Sequence, residues 1–347
     1  MKLGWKAWMG LAVSALLLWL VFRGEDLGAI AQQLATADPV WLLVAGAFLT
    51  SGGLIRALRW GILLEPLGVP TTLRSRWAAL NIGFMITNLL PARLGEIVRP
   101  FALSRMAPVS MSGALGTIVL ERLLDMVALV LLLLVTLLSP AFPTGATVLG
   151  HSVGYAALAG ILVAAIASAA VGVLFIWPSV IERLVRAFAR LLPGDVEYGA
   201  VAKFESFLSG LDLLRRPAAM LKAFLLSLLL WVWMAASFWT AFRAFGIELG
   251  ATAAMFAQCA VSLFVALPAG PGFIGTLQAG VSVSVHDVFG VAAEPTLSLA
   301  IGYHLAGFIP VTLLGLYYAW RLGLRFGSIE SDVRTTLEME AQRGEGA

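Results

Sequence analysis

The stretch Asn88-Leu-Leu-Pro91-Ala-Arg93-Leu-Gly-Glu96-Ile-Val-Arg99-Pro100 decides how the chain is read. It sets three ionisable groups between two prolines in an otherwise apolar region. Arg93, Glu96 and Arg99 are spaced by three, which puts them on one face of a helical turn. Pro91 and Pro100 lack an amide N–H and interrupt a continuing helix. Broken backbone at membrane depth is tolerated only inside protein or beside a water-filled cavity. Ionisable groups at that depth mark a substrate or ion path by default. The competing reading is a cytosolic loop joining two spanning helices.

The composition favours the membrane. The 347 residues are 60% hydrophobic and 12% charged, with a mean hydropathy of +0.92. That profile argues against a soluble domain. Several apolar stretches reach the roughly 20 residues that cross a bilayer. No polar segment is long enough for a soluble catalytic domain. Cys259 is the single cysteine, which excludes an internal disulfide and a Cys-based metal site. His151, His286 and His304 are scattered. No P-loop, dinucleotide fingerprint or nucleophile elbow is present, and nothing suggests nucleic-acid binding. The chain is therefore read as no enzyme, with no metal and no cofactor.

Lys2 and Lys6 precede an apolar run from Ala7 to Phe22, and Ala29-Ile-Ala31 resembles a cleavage site. Arg23, Glu25 and Asp26 separate the run from that site, so a retained first helix over about 5–22 is expected rather than a signal peptide. A second long helix opens at Pro39, a good first-turn residue, and runs to about Leu64. Arg56 and Arg59 near its end, with Arg74 and Arg76 beyond, mark a cytoplasmic loop. Segment 77–90 is short for a span and typical of a re-entrant helix. A long helix follows over about 110–139 and carries Glu121, Arg122 and Asp125. The uncharged loop 140–150 is expected outside, and a helix over 151–177 returns. Within the polar stretch 178–222, residues 181–192 read as a basic amphipathic helix on the inner leaflet, or as a solvated linker helix. Apolar segments 218–245, 251–267 and about 276–289 follow, then a last helix over about 296–320.

Two stretches repeat. Leu90-Pro-Ala-Arg-Leu-Gly-Glu-Ile97 and Leu267-Pro-Ala-Gly-Pro-Gly-Phe-Ile274 share Leu-Pro-Ala-x-x-Gly-x-Ile at an offset of 177. Pro39 and Pro217 each open a helix, and Leu67-Gly-Val69 matches Phe245-Gly-Ile247, both at an offset of 178. Common spacing points to duplication. Charge at the loops gives the halves opposite orientations, the pattern of secondary transporters with broken helices.

Glu121 and Asp125 repel at i, i+4 and need cations. Arg93 and Arg99 are the expected partners, with Arg122 adjacent. One reading is a neutral salt-bridge network that fixes the hairpin against the long helix. The other is that an arginine releases its carboxylate for a lipid phosphate, which its planar fork suits. Glu96 or Asp125 then takes a proton. Asn81 and Asn88 share a face, for headgroup oxygens or for helix-to-helix hydrogen bonds. Gly270, Gly272 and Gly275 permit close backbone approach. Thr276 and Gln278 sit at a half-helix N-terminus, a natural anion site. His304 is read as a packed, hydrogen-bonded residue, with a proton relay as the alternative.

At these residues the chain resembles the flippase-like membrane proteins related to the transmembrane domain of lysylphosphatidylglycerol synthase. The matching pieces are Asn88-x-x-Pro-Ala-Arg-x-Gly-Glu-x-x-Arg99, Glu121-Arg-x-x-Asp125 and Pro268-x-x-Pro-Gly-x-x-Gly-Thr276. The resemblance covers the chain to about residue 325. It implies an inner-membrane protein that moves or presents anionic or glycosylated lipids, with functional charges at Arg93, Glu96, Arg99, Glu121, Arg122 and Asp125. Two departures stand out. The soluble aminoacyl-transferase domain of the synthases is missing from this sequence, and Gln278 stands where many relatives carry Glu.

The expected fold is an all-α integral membrane protein with about six transmembrane helices and two re-entrant hairpins in an inverted-topology repeat. One polytopic domain spans 1–325 (repeat 1 about 5–139, repeat 2 about 151–320), followed by a disordered polar tail over 326–347. The expected function is movement of a lipid with a phosphate-containing headgroup between leaflets. The alternative is a non-transporting partner that presents lipid to a glycosyltransferase or similar enzyme, and a membrane-embedded transferase acting through Glu121 or Asp125 ranks last. The expected headgroup contacts are Arg93, Glu96, Arg99, Glu121, Arg122, Asp125, Asn88, Gly272, Gly275 and Thr276. The expected location is a bacterial-type inner membrane with both termini cytoplasmic.

Overall fold

The computed structural model describes residues 5–90, 94–143 and 208–324, with isolated positions between and after them. The helix expected over 151–177 lies largely outside the described residues. So do the surface helix at 181–192, Arg93, and most of the tail. His151 and Ser152 are an exception: they form the second strand of a two-residue hairpin with Thr147–Val148 rather than a helix start.

Ten helices are described: α1 (Trp5–Phe22), α2 (Leu27–Thr36), α3 (Pro39–Leu64), α4 (Leu73–Leu89), α5 (Gly95–Ser104), α6 (Met111–Leu137), α7 (Pro217–Ala244), α8 (Ala251–Ala266), α9 (Thr276–Val281) and α10 (Ala293–Arg321). α9 runs on into a π-helical turn over Ser282–Val288. Local chemistry sets these bounds. The Asp38 carboxylate accepts the N–H groups of Val40 and Trp41, at 2.8 and 3.3 Å, and Pro39 occupies the first turn, where a missing N–H costs nothing. Thr72 and Ser75 form a capping box at the start of α4. α4 stops at Leu89 because Leu90 precedes a proline and is extended.

Among the described residues, three helices are long and apolar enough to cross a membrane: Pro39–Leu67, Pro217–Ala244 and Ala293–Arg321. A fourth candidate is the bent pair formed by Trp8–Phe22 and Leu27–Thr36. α6 is 27 residues long, but it carries Glu121, Arg122 and Asp125. Large apolar side chains such as Leu43, Leu138, Leu313 and Trp320 point outward, as lipid-facing positions do. This is an all-helical, multi-pass membrane architecture.

The centre of the molecule is the pair α3 and α7, which run antiparallel along their lengths. The Asp38 N–H donates to the Ala244 carbonyl at one end. Trp41 meets Trp239 edge-on at 6.2 Å, and Phe48 meets Trp233 at 4.5 Å. At the middle Gly52 lies against Leu230 and Met234, where a Cβ would come within 2.8 Å of the Met234 sulfur. Such small residues let membrane helices approach closely. Two main cores flank the pair. One joins α3 to α4, α5 and α6 through Trp60, Leu64, Ile82 and Leu120. The other joins α7 to α8, the α9 segment and α10 through Phe238, Ala254, Val285 and Leu299.

Two short helical hairpins insert between these layers. α4 and α5 cross at glycine: a Cβ on Gly95 would overlap the Gly83 carbonyl oxygen. The second hairpin, α8 and α9, turns through Gly272 at φ +65° and Gly275 at φ +92°, backbone that L side chains rarely adopt. The tips meet. A Cβ on Gly272 would lie 3.2 Å from the Asn88 carbonyl oxygen.

Candidate functional site

Four arginines and two carboxylates gather on α3, α5 and α6. The Arg99 fork bonds both oxygens of Glu121, at 3.0 and 2.8 Å. Arg122 donates to Glu121 at 2.9 Å, and Arg59 reaches the same oxygen at 3.2 Å. The other face of Arg59 forks onto Asp125, and its Nη1 also donates to Ser227 at 2.6 Å. The Trp231 indole N–H donates to Asp125 at 3.1 Å. Arg56 lies 3.7 Å and Arg122 3.8 Å from the second Asp125 oxygen. Glu121 is fully buried. Arg99 stacks 3.8 Å above Trp60, whose N–H is held by Thr117. Weakly hydrated, planar guanidinium suits such sites better than ammonium.

The arithmetic of the cluster differs from the expected neutral network. Four guanidinium groups pair with two carboxylates, and Glu96 acts on the half-exposed Arg122 from further off, so among the described residues the cluster carries one more positive than negative charge. Arg56 and Arg59, expected near the end of α3 as markers of a cytoplasmic loop, are inside the bundle. Arg59 has no exposed side-chain surface. The pairing expected of Arg93 and Arg99 is met by Arg99 and Arg59; Arg93 lies outside the described residues. Glu96 is half-buried on the first turn of α5. A signal for α3 was present. Gly52 falls one turn before Arg56 and two turns before Arg59 on the same face, and a small residue there marks a helix–helix contact.

Beside the cluster is a chamber of about 270 Å³ walled by α3, α4, α7, α8, α10 and the Gly272 turn. That is many times the ~10–15 Å³ that one water needs. Its cation is Arg56, which overlies the rings of Trp231 and Phe84 at 5.4 and 5.9 Å. Polar wall groups are Thr50, Asn81, Asn88, Gln258, Ser262 and His304. Asn88 donates to Thr312 on α10 at 2.9 Å, which holds the first hairpin tip in place. Gly272 lines the chamber. Gly275 and Thr276 do not. Gly275 packs on the Ser14 backbone of α1, and its N–H is taken by the Gln278 side chain at 2.8 Å. The Thr276 hydroxyl donates to the Phe273 carbonyl at 3.0 Å. The half-helix end is thus capped by its own chain and covered by α1, which leaves no open anion site there. Gln278 also bonds His304 Nδ1 at 3.0 Å, so His304 ties α10 to the second hairpin.

Three pairs of chamber-lining residues are 178 apart: Gly53 and Trp231, Arg56 and Met234, and Phe84 and Ser262. At that same spacing from Arg59 and Asp125, the hydroxyls of Ser237 and Tyr303 share a neutral hydrogen bond of 2.9 Å. Phe238, 178 residues after Trp60, stacks on Tyr303 at 3.9 Å.

Comparison with known proteins agrees with this architecture. The family described as lysylphosphatidylglycerol synthase TM region matches residues 7–315. The chain belongs to that family. Two UPF0104 membrane proteins of Methanothermobacter thermautotrophicus are similar over nearly full length. One is 25% identical over 323 residues, covering 89% of this chain and 90% of the relative. The other is 22% identical over 322 residues, covering 89% and 92%. A UPF0104 membrane protein of Methanocaldococcus jannaschii is 25% identical over 117 residues, 33% of this chain and 35% of the relative. No solved structure matches.

Proposed function

We propose that the protein moves a lipid with a phosphate-containing headgroup between the leaflets of the membrane, the headgroup passing through the central chamber. One observation carries this reading. A chamber of about 270 Å³ between two hairpin tips presents Arg56, and the adjoining cluster holds one more positive charge than the described carboxylates supply. Buried cations without a full complement of anions are costly. An anionic headgroup removes that cost, and apolar surface around the chamber accommodates acyl chains.

The arrangement of the halves supports an inverted repeat. Helices that start 178 residues apart, α3 with α7 and α4 with α8, have similar lengths. The antiparallel α3–α7 pair is self-complementary about Gly52 and Leu230, themselves 178 apart. In such folds the site lies near the midplane. Arg56 and Arg59 are then ~6 and ~10 Å from the axis at 1.5 Å per residue. Arg74 and Arg321 share one hollow at the end of the bundle toward which these arginines lie, and Arg216 and Lys222 line another. The positive-inside rule makes that end cytoplasmic. In this orientation the charged half of the chamber opens toward the cytoplasm and the neutral half away from it.

The test is leaflet exchange of a fluorescent anionic lipid in liposomes. Arg56→Gln is expected to lower the exchange rate about tenfold or more, the worth of one charge-assisted contact. Equal rates for wild type and Arg56→Gln refute the reading. No exchange of any lipid, with co-purification of a lipid-modifying transferase, replaces it with the presenting role.

A further inference from the structure

Arg56, the cation of the chamber, has no counterion at hydrogen-bonding distance among the described residues. Its ion pair to Asp125 Oδ2 is 3.7 Å long. A guanidinium carries five N–H donors, and an adjacent carboxylate ordinarily takes two of them as a fork. Here that fork belongs to Arg59, which donates to both Asp125 oxygens. Asp125 Oδ1 also accepts the Trp231 indole N–H, at 3.1 Å.

Helix α7 clips this pair from one side. Ser227 and Trp231 are four apart on one face of it. The Ser227 hydroxyl donates to the Ala223 carbonyl at 3.1 Å, and so accepts from Arg59 at 2.6 Å. One turn on, Trp231 donates to Asp125, so the helix holds both members of the Arg59–Asp125 pair. The same indole lines the chamber, and the Arg56 guanidinium lies over its ring at 5.4 Å. One side chain therefore anchors the carboxylate and stands beside the cation that the carboxylate does not reach. We propose that Trp231 is a positioning residue: by holding Asp125 to Arg59 it withholds that carboxylate from Arg56 and keeps the guanidinium open to an anion in the chamber. This deepens the translocation reading and rests on it only for the anion being a lipid.

The availability of Arg56 is read with phenylglyoxal, which adds to guanidinium groups. The lipid-free full chain is modified in detergent, and the labelled peptides are quantified by mass spectrometry. Wild-type Arg56 is expected to react at least about tenfold faster than Arg59, which is fully buried and paired with two carboxylates. Trp231→Phe is expected to slow Arg56 about tenfold, as Asp125 closes on it with a charge-assisted hydrogen bond. Loosening of the wall alone would speed the reaction, so the sign separates positioning from support. Asp125→Asn in the Trp231→Phe background is expected to restore the rate. Benzothienylalanine in place of Trp231 keeps the bicyclic shape and loses the N–H, and is expected to slow Arg56 as Trp231→Phe does. Arg56 as inert as Arg59 in wild type overturns the proposal, and that comparison needs no variant to fold. An unchanged or faster Arg56 in Trp231→Phe overturns it too, as does a slow rate that persists with Asp125→Asn. Phosphatidylglycerol retention, read by native mass spectrometry, is expected to weaken about tenfold in Trp231→Phe. Slowed labelling with undiminished retention takes the lipid away from Arg56 and leaves the positioning role standing.

Discussion

Glu121→Gln is the sharpest probe of the charged cluster. The substitution keeps the shape of the side chain and removes its charge. Glu121 is fully buried and accepts from Arg99 twice, from Arg122 and from Arg59. Without it four guanidinium groups are left with Asp125 as their one directly paired carboxylate and Glu96 further off. Breaking a buried ion pair on one side costs about 3–5 kcal/mol, because the remaining charge is left uncompensated. At roughly 2 °C per kcal/mol for a chain of this size, the unfolding midpoint falls by about 6–10 °C. The assay is thermal unfolding of the purified protein in a single detergent, with anionic lipid absent. The double variant Arg99→Met/Glu121→Met removes both members of the bidentate pair and is expected to recover at least half of that loss, since burying matched apolar groups is often neutral. A Glu121→Gln midpoint within about 2 °C of wild type refutes the reasoning. So does a double variant less stable than the single one.

Two further outcomes follow from the packing. Gly95→Ala forces a Cβ into the Gly83 carbonyl and is expected to abolish monodisperse protein on gel filtration. Gly68→Ala, also at a glycine but with open space around it, is expected to cost only about 1–2 kcal/mol for its positive φ. Tyr303→Phe removes a neutral hydrogen bond to Ser237 and is expected to cost about 1 kcal/mol, whereas Arg59→Met at the corresponding place is expected to cost about 3–5 kcal/mol. Equal midpoints for these last two variants would remove the distinction between a charged and a neutral half.

Much of this architecture is legible in the chain. Pro39 and Pro217 announce α3 and α7 because proline suits a first helical turn. The short segment before Pro91 announces a hairpin, and α4 ends at Leu89 as its neighbouring proline requires. Glu121 and Asp125, four apart on an apolar helix, announce buried cations. Which cations was not legible. Arg56 and Arg59 sit about two turns from the end of a span, where basic residues usually face the cytoplasm. Only contact with Asp125, 66 residues from Arg59, draws them inward. At the half-helix end read as an anion site, Gln278 folds back on the turn and takes the Gly275 N–H. The chamber itself was beyond reach, since its walls come from segments more than 250 residues apart.

The central claim is that one chamber between the hairpin tips holds a lipid headgroup at Arg56. It is tested most directly by electron cryomicroscopy of the protein in phosphatidylglycerol nanodiscs. The account predicts headgroup density in the chamber beside Arg56, lost in Arg56→Gln. A chamber filled only by water, with lipid confined to the outer surface of the bundle, contradicts it.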